Sequence, residues 1–246
     1  MTLKGARWFY TALLCLAAAS AAAGSFSVAP TRVEFEAGKR TAVISLRNTD
    51  NAPLRVQAAL VEWQQVGGED VYIPTREVLA TPPVFTVPPN GEQVVRIALR
   101  RAADGARELP YRIFFQEVPQ PLKATSNTLN VALRIGVPIF VGAVKTEEGM
   151  YLDWQAQRLT TGEVEITATN QGTRHVQIMG FQVLTSDAAA GAGTPGVPVS
   201  AIKYVLPGSR MSWKVSLPAG ADLTQLRVDG HSDQGDFAAQ VAVVAP

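Results

Sequence analysis

One segment constrains the fold of this chain more than any other. In residues 127–140 every odd-numbered position from 129 to 139 is aliphatic, whereas the even-numbered positions are mixed. Side chains alternate between the two faces of an extended strand, so the segment is predicted to be a strand with one apolar face. That face either packs into the chain's own core or is offered to a partner. This apolar stripe consists of Leu129, Val131, Leu133, Ile135, Val137 and Ile139.

The first 23 residues have the three parts of a secretory signal peptide. Lys4 and Arg7 are followed by an apolar run, and small residues occupy positions 19–23. The apolar run is shorter than the roughly 20 residues that a membrane-spanning helix needs. We therefore expect residues 1–23 to be cleaved and the mature chain to begin at Gly24.

Cysteine content and charge exclude several kinds of site. Cys15 is the only cysteine and lies in the predicted signal peptide, so the mature chain is expected to hold no disulfide and no thiolate. Cleavage removes Lys4 and Arg7, which changes the formal charge from +1 to 1 − 2 = −1. A nearly neutral chain lacks the basic excess of a nucleic-acid binder. No later segment is apolar enough to span a bilayer, so no membrane insertion of the mature chain is expected.

Short period-two runs between turn residues predict an all-β fold in the first half. Pro30 interrupts the first run, which predicts a bent or bulged edge strand. The segment 79–89 contains four prolines and is predicted to be an edge or a linker. About seven strands are typical of an immunoglobulin-like sandwich. The predicted strands of this half, apart from the proline-rich segment 79–89, are 25–36, 41–47, 54–64, 93–100, 111–118 and 127–140.

The second half has the same pattern of short strands between turn residues, but the predicted strands are weaker. Residues 188–198 are predicted to be a low-complexity loop. The polar turn at 142–148 is the best domain boundary. We therefore predict a signal peptide at 1–23, an N-terminal immunoglobulin-like domain at 24–143 and a C-terminal β-sandwich domain at 144–246. The predicted strands are 151–155, 164–170, 177–185, 203–206, 212–217, 225–229 and 237–244.

The sequence lacks the residue patterns of a catalytic site. It has two histidines, His175 and His231, and both are expected to be solvated loop residues rather than metal ligands. No nucleophile elbow, phosphate loop or zinc motif occurs. We therefore expect no enzyme activity, no metal, no cofactor and no small-molecule substrate. A secreted two-domain structural or adhesive sandwich is the main alternative, and a glycosidase or carbohydrate-binding module would need paired carboxylates or an aromatic platform.

Several phrases, in this order and spacing, resemble the PapD-like periplasmic pilus (fimbrial) assembly chaperones. The resemblance implies two immunoglobulin-like β-sandwich domains in a boomerang arrangement. It also implies a periplasmic chaperone that lends a strand to the incomplete fold of pilus subunits and delivers them to an outer-membrane usher. The phrases are A-P-T-R-V-E-F (29–35), S-L-R-N-T-D (45–50), A-T-P-P-V-F (80–85), P-P-N-G-E-Q-V-V-R-I (88–97), Y-R-I-F-F-Q-E-V-P (111–119) and, less closely, T-N-Q-G-T-R-H-V-Q-I (169–178) and L-P-G-S (206–209).

The resemblance assigns roles to parts of the apolar stripe and to several arginines. Family members hold the subunit's terminal carboxylate with an arginine, which Arg32 matches, and with a lysine, whose position is occupied here by Pro138. Arg96 and Arg134 are therefore candidates for the missing cation. The residues implied to enter the subunit are Leu129, Val131, Leu133 and Ile135.

Two acidic residues match an interdomain charge network of the family. They are Glu117 and Asp233, and the position of their basic partner falls on Gly142. The missing lysine, the absent cysteine pair and the short connection at 119–126 resemble the alternative branch of the family, which accompanies spore-coat-U-like subunits.

Overall fold

The computed structural model describes residues 26–35, 38–101, 106–119, 131–142, 150–185, 196–200, 202–218 and 220–245. These residues form strands and turns, and no helix occurs among them. The predicted signal peptide, Leu129 and the predicted domain boundary at 143–144 lie outside the described residues. Within the described ranges, no helix is long and apolar enough to cross a membrane.

The first domain contains the strands that precede residue 142. They form the two-sheet sandwich that the sequence pattern of short strands and turns predicts. The strands are β1 (Phe26–Ala29), β2 (Val33–Phe35), β3 (Thr41–Asn48), β4 (Leu54–Val66), β5 (Glu69–Pro74), β6 (Val78–Thr81), β7 (Val84–Val87), β8 (Glu92–Leu99), β9 (Leu109–Glu117) and β10 (Arg134–Val141).

Two sheets face each other in this domain. One has the order β1-β3-β8-β6, and the other has the order β2-β10-β9-β4-β5 with β7 also paired to β4. Alternate residues of the strands fill the space between them, so Ile44, Ile97 and Phe115 are fully buried. The predicted bend at Pro30 transfers the chain between sheets, because β1 pairs with β3 whereas β2 pairs with β10.

The second domain has its own core, built around Trp154, Ile166 and Val228. Its strands join in the order β14-β13-β17-β18-β11-β12-β16, with β15 also paired to β13. The strands are β11 (Leu152–Arg158), β12 (Val164–Asn170), β13 (Val176–Thr185), β14 (Val197–Val199), β15 (Lys203–Val205), β16 (Arg210–Val215), β17 (Gln225–Ser232) and β18 (Gly235–Val244).

The structure contains strands that the alternation pattern missed. After the predicted strand 54–64, the chain turns at Gly67 and Gly68 and returns as β5, because both glycines adopt positive φ and form a tight hairpin turn. β5 is mostly exposed and has no apolar alternation. The proline-rich segment forms the short strands β6 and β7, and β14 begins inside the predicted loop 188–198.

Strand β10 is shorter than the predicted strand 127–140. It begins at Arg134, while Val131 to Leu133 precede it without regular structure. β10 pairs with β9 from Arg134 to Val141, but its pairing with β2 is limited to residues 139–141. Among the described residues, no strand pairs with residues 134–138 on the side away from β9. This stretch is called the open edge of β10.

Candidate binding cleft and open strand edge

The side chains of the apolar stripe change environment along its length. Val131 is 73% exposed, Leu133 and Ile135 are half-buried against the first core, and Val137 and Ile139 are buried in it. The exposed and half-buried members therefore lie before or along the open edge. Burial begins at Val137, still within the open edge, and continues at Ile139, where β10 also pairs with β2.

An apolar cluster joins the two domains at the end of β10. Trp63 and Phe140 come from the first domain, and Leu206 and Tyr204 come from the second. The Trp63 and Tyr204 rings meet edge to face with centroids 5.3 Å apart. Burial of these large rings stabilises the contact between the domains.

Hydrogen bonds around this cluster also cross between the domains. The side chain of Gln65 donates from Nε2 to the Tyr204 carbonyl (2.9 Å) and accepts at Oε1 from the Leu206 amide (2.9 Å). The amide of Glu108 donates to the Thr173 carbonyl (2.9 Å). The Gln65 amide and these backbone groups are therefore paired across the interface.

His175 lies inside this interface, so its prediction as a solvated loop residue is wrong. It is 2% exposed, and its ring stacks on Phe140 with centroids 3.5 Å apart. Nδ1 lies 2.7 Å from Glu108 Oε1, and Nε2 lies 3.5 Å from Asp233 Oδ2. His175 directly precedes β13 at the face that packs on the first domain, a tertiary contact that its local sequence does not indicate.

The two carboxylates determine the protonation of this histidine. Burial alone lowers the pKa of His175, but hydrogen bonds with Asp233 and Glu108 outweigh burial and raise that pKa above its ordinary value. Burial raises the pKa of Asp233, but its hydrogen bonds with His175, the Gln177 amide and Arg32 lower that pKa overall. The imidazolium form can donate to both carboxylates, which the neutral ring cannot do.

Arg32 is held by carboxylates from both domains. Nη1 donates to Asp233 Oδ2 at 2.7 Å, and Nε lies 2.9 Å from Glu34 Oε1. Burial lowers the pKa of Arg32, but the hydrogen bond to Asp233 and the charges of Glu34 and Asp233 raise it overall. Arg32, Tyr204 and Asp233 line one cavity in the cleft. Arg32 therefore lies where both domains meet, next to the start of β2.

Arg112 is a second cation in the cleft, and the sequence did not single it out. It is the cross-strand partner of Pro138, so the two side chains lie on the same face of the sheet. The guanidinium lies 4.3 Å from the centroid of the Trp63 ring and donates from Nη1 to the Tyr72 hydroxyl. Its nearest carboxylate is Asp70, at 3.7 Å.

Arg134 lies at the other end of the same face. Its guanidinium stacks on Phe114 at 3.9 Å from the ring centroid. A Cβ at Gly136 would lie only 2.8 Å from Cε1 of Phe114, so the absence of a side chain allows the ring to lie over β10. Arg134 and Pro138 are four positions apart, which corresponds to roughly 13 Å along a strand.

Two of the predicted site residues are not positioned for the roles implied for them. Arg96 lies on the exposed face of β8 opposite Val43 and Thr81, in the sheet that does not contain β10, so it is not a substitute for the missing lysine. Glu117 ends β9 and accepts at Oε2 from the Leu133 amide. Glu108, directly before that strand and roughly 30 Å from Glu117, makes the interdomain contact with His175.

Asp233, in contrast, contacts both domains, through Arg32 and His175. The missed members of this network are Glu108 and His175, and no local signal in the sequence marks either one. Arg112 could have been found from the antiparallel register once Pro138 was known to replace a cation. Among the described residues, no group of three or more His, Cys, Asp or Glu side chains could hold a metal ion.

Comparison with known proteins agrees with this fold. Residues 25–142 match the family described as pili and flagellar-assembly chaperone, PapD N-terminal domain. A search of curated protein sequences gave no significant match.

Solved structures similar to this chain include pilus chaperones from several bacteria. The chaperone–tip adhesion subunit complex CsuC–CsuE, from the archaic Csu pili of Acinetobacter baumannii, has a TM-score of 0.68 and 18% identity, covering 90% of this chain and 100% of that chain. The CupB2 chaperone of Pseudomonas aeruginosa has a TM-score of 0.57 and 20% identity, covering 89% and 100%. The Salmonella enterica SafA pilin–SafB chaperone complex has a TM-score of 0.58 and 18% identity, covering 89% and 96%.

The chain therefore has the two-domain, immunoglobulin-like fold of the chaperones of the chaperone–usher pathway, as the sequence predicts. Its first domain belongs to the PapD N-terminal domain family of pili and flagellar-assembly chaperones. A chaperone of the archaic Csu pili is among the similar structures.

Proposed function

We propose that this protein is a periplasmic chaperone that captures pilus subunits by adding β10 and the residues before it to the subunit's incomplete sheet. It then delivers them to an outer-membrane usher. The observation that carries this proposal is the open edge of β10, which continues into the exposed Val131. A strand with unpaired backbone groups on one side is suited to pairing with another chain.

The direction of β2 supports a particular orientation for the partner. β2 runs parallel to β10 and covers only residues 139–141. A partner strand that lies along residues 134–138 in the same direction would end where β2 begins. Its terminal carboxylate would then lie beside Arg32, which directly precedes β2. Because of this orientation, we retain Arg32 as a residue that binds the terminal carboxylate of the partner strand.

The apolar stripe supplies the side-chain part of the proposed contact. Leu129, Val131, Leu133 and Ile135 would cover the open core of the subunit, with about 1.5–3 kcal/mol for each fully buried side chain before ordering costs. Backbone pairing tolerates different partner sequences, because the ladder bonds do not involve side chains. The same segment could therefore serve several subunits.

The partners of similar proteins favour pilus subunits as the bound class. The CsuC–CsuE structure contains a tip adhesion subunit, and the SafB structure contains a pilin. We propose the same partner class for this chain. We also propose that the mature chain is periplasmic after cleavage of residues 1–23, and that it has no enzyme activity, cofactor or nucleic-acid partner. Membership in the branch with spore-coat-U-like subunits and the domain limits at residues 143 and 144 remain part of the proposal.

The alternative of a structural or adhesive sandwich predicts that the whole stripe is buried in the chain's own core. Leu133 and Ile135 do pack partly against that core. Val131 does not, and the edge beside Ile135 has no partner strand among the described residues. The open edge therefore favours the chaperone over this alternative.

Val131→Asp tests the proposal. Val131 is highly exposed, so the change is expected to leave the thermal unfolding of the free protein unaltered. A charge in the subunit's apolar groove should reduce recovery of the chaperone–subunit complex roughly 10- to 100-fold, the equivalent of losing one buried aliphatic side chain. The measurement is co-purification after periplasmic co-expression with a candidate pilus subunit from the same genome.

Val244→Asp provides the matched control. Val244 is also a highly exposed valine, at 64%, but it ends the last strand of the second domain. This variant is expected to recover as much complex as the original chain. Equal recovery with Val131→Asp and Val244→Asp would contradict strand addition through the apolar stripe.

A further inference from the structure

Met179 projects from a bulge in strand β13 of the second domain. The register of β13 on β17 shifts between Ile178 and Gly180, so Met179 has no opposing residue. An extra residue of this kind shifts the alternation of a strand and re-aims its side chain. Ile178 is fully buried in the second core, whereas Met179 is 48% exposed. The bulge therefore presents a thioether to solvent.

The other sulfur atoms of the mature chain are less accessible. The predicted signal peptide contains the only cysteine and one of the four methionines, so its cleavage leaves three thioethers and no thiol. Met211 is 4% exposed in the second core. Met150 is half-buried, and its Sδ accepts a hydrogen bond from the Ser232 hydroxyl (3.4 Å). Because susceptibility to oxidation follows exposure, Met179 is the sulfur that a dissolved oxidant reaches first.

Met179 lines two neighbouring cavities. One, of about 480 Å³, is the cleft cavity that Arg32 and Tyr204 also line. The other, of about 970 Å³, lies on the second domain and is lined by Ile202 and Phe237 among other residues. A partner strand that ends beside Arg32 would place its last side chains against the first cavity. The thioether is thus open to solvent in the free protein and would be covered in the complex.

We propose that Met179 is an oxidation site, where a hydroperoxide converts the thioether to a sulfoxide and thereby weakens capture of the partner. The sulfur lone pair attacks the terminal oxygen of the hydroperoxide, and the O–O bond breaks. The proton of that oxygen passes to the leaving oxygen, which departs as water or an alcohol. The sulfur loses two electrons and the peroxide gains them. A dithiol reverses the step, because it removes the oxygen as water and becomes a disulfide. The effect on capture rests on the proposed function, whereas the oxidation itself does not.

The sulfoxide changes this wall of the cleft from apolar to polar. A thioether is flexible and polarizable, so it packs against apolar side chains of different shapes. A sulfoxide oxygen accepts hydrogen bonds from water, and covering it without a donor costs free energy. A partner that covers Met179 with apolar groups should therefore bind the oxidised protein less tightly.

Hydrogen peroxide is the probe for the site itself, applied to the full-length mature protein. Peptide mass spectrometry gives the oxidation rate of each methionine. Met179 is expected to react at least about tenfold faster than Met211, because a buried sulfur reacts only after local opening. Met150 should react at an intermediate rate. Equal rates for Met179 and Met211, or the fastest reaction at Met150, would overturn the assignment of the site.

The effect on capture is measured by co-purification with the subunit, and each protein is compared with its own untreated sample. Peroxide should lower recovery by the original chain about 5- to 10-fold, the lower end of the cost of one unpaired buried polar group. Treatment with dithiothreitol and methionine sulfoxide reductases for both epimers should restore it. Met179→Leu, which keeps the side-chain volume and removes the sulfur, should lose nothing on peroxide treatment. Met150→Leu is the matched control and should lose as much as the original chain.

Two results of the capture assay would overturn the inference. They are an equal peroxide-induced loss in Met179→Leu and the original chain, and full recovery by the original chain after complete oxidation of Met179. The mass spectrometry needs no subunit. Failure of strand addition, shown by equal recovery with Val131→Asp and Val244→Asp, is therefore distinct from failure of oxidation at Met179.

Discussion

The two halves of β10 share a sequence pattern but differ in their surroundings. From Val137 to Val141 every residue is buried, and residues 139–141 pair with strands on both sides. From Arg134 to Gly136 the strand pairs on one side only, and its side chains are exposed or half-buried. Aliphatic alternation therefore predicts a strand with an apolar face, but it does not predict which part of that face the chain buries.

The length of β2 explains where the pairing of β10 changes from one side to both sides. Pro30 and Arg32 lie between β1 and β2, so the chain enters the second sheet only at Val33. Since β2 has three residues, it covers only three residues of β10. The following predictions test this division of β10, starting with the largest expected effect.

Ile139→Ala should destabilise the protein strongly, whereas Ile135→Ala should have a smaller effect. Ile139 is fully buried, and truncation of such a side chain typically lowers the free energy of unfolding by about 2–5 kcal/mol. Ile135 is half-buried, so it loses fewer contacts and leaves a space that water can enter. Urea unfolding of the first domain measures both, and equal losses would contradict the division.

The stability of the buried half of β10 should also depend on pH, because Phe140 stacks on His175. The pKa of His175 is raised in the folded protein, so its stabilisation is complete below the unfolded value near 6.5 and is lost as pH rises through the folded value. The pKa of Asp233 is lowered, so its stabilisation is present above 3.8 and is lost as pH falls through the folded value.

The melting temperature should therefore decrease as the pH rises above about 6.5, the ordinary value for a histidine, because the raised pKa of His175 lies on that side. His175→Gln should flatten this alkaline decrease, while His231→Gln, at an exposed histidine, should retain it. An unchanged pH profile in His175→Gln would show that the interdomain network does not contribute to the titration.

Arg134→Ala should have the smallest effect, because it changes the exposed half. Its stacking on Phe114 contributes about 0.5–1 kcal/mol at an exposed site. The expected result is a loss of stability within that range and unchanged burial of Phe140, measured by urea unfolding and near-ultraviolet circular dichroism. A loss comparable to that of Ile139→Ala would mean that residues 134–136 belong to the core of the domain.

The sequence predicts the fold better than the site, for a physical reason. Period-two runs and turn residues identify strands such as β12 because strand pairing requires local alternation. β5 was missed because both of its faces are largely exposed and it carries no such pattern. His175, Glu108 and Arg112 acquire their roles from partners that are 58 or more positions away or on adjacent strands, such as Asp233 and Pro138. No local pattern of residue types encodes these contacts.

The short length of β2 also limits the length of strand that a partner can pair with β10. The open edge of β10 contains residues 134–138, which correspond to roughly 16 Å of strand. A strand that pairs there occupies the line that β2 continues, so it must stop at Arg32. The register of the complex would then be determined by contact of the partner's last residue with the start of β2 rather than by recognition of side chains. Subunits with unrelated sequences could all align in the same way.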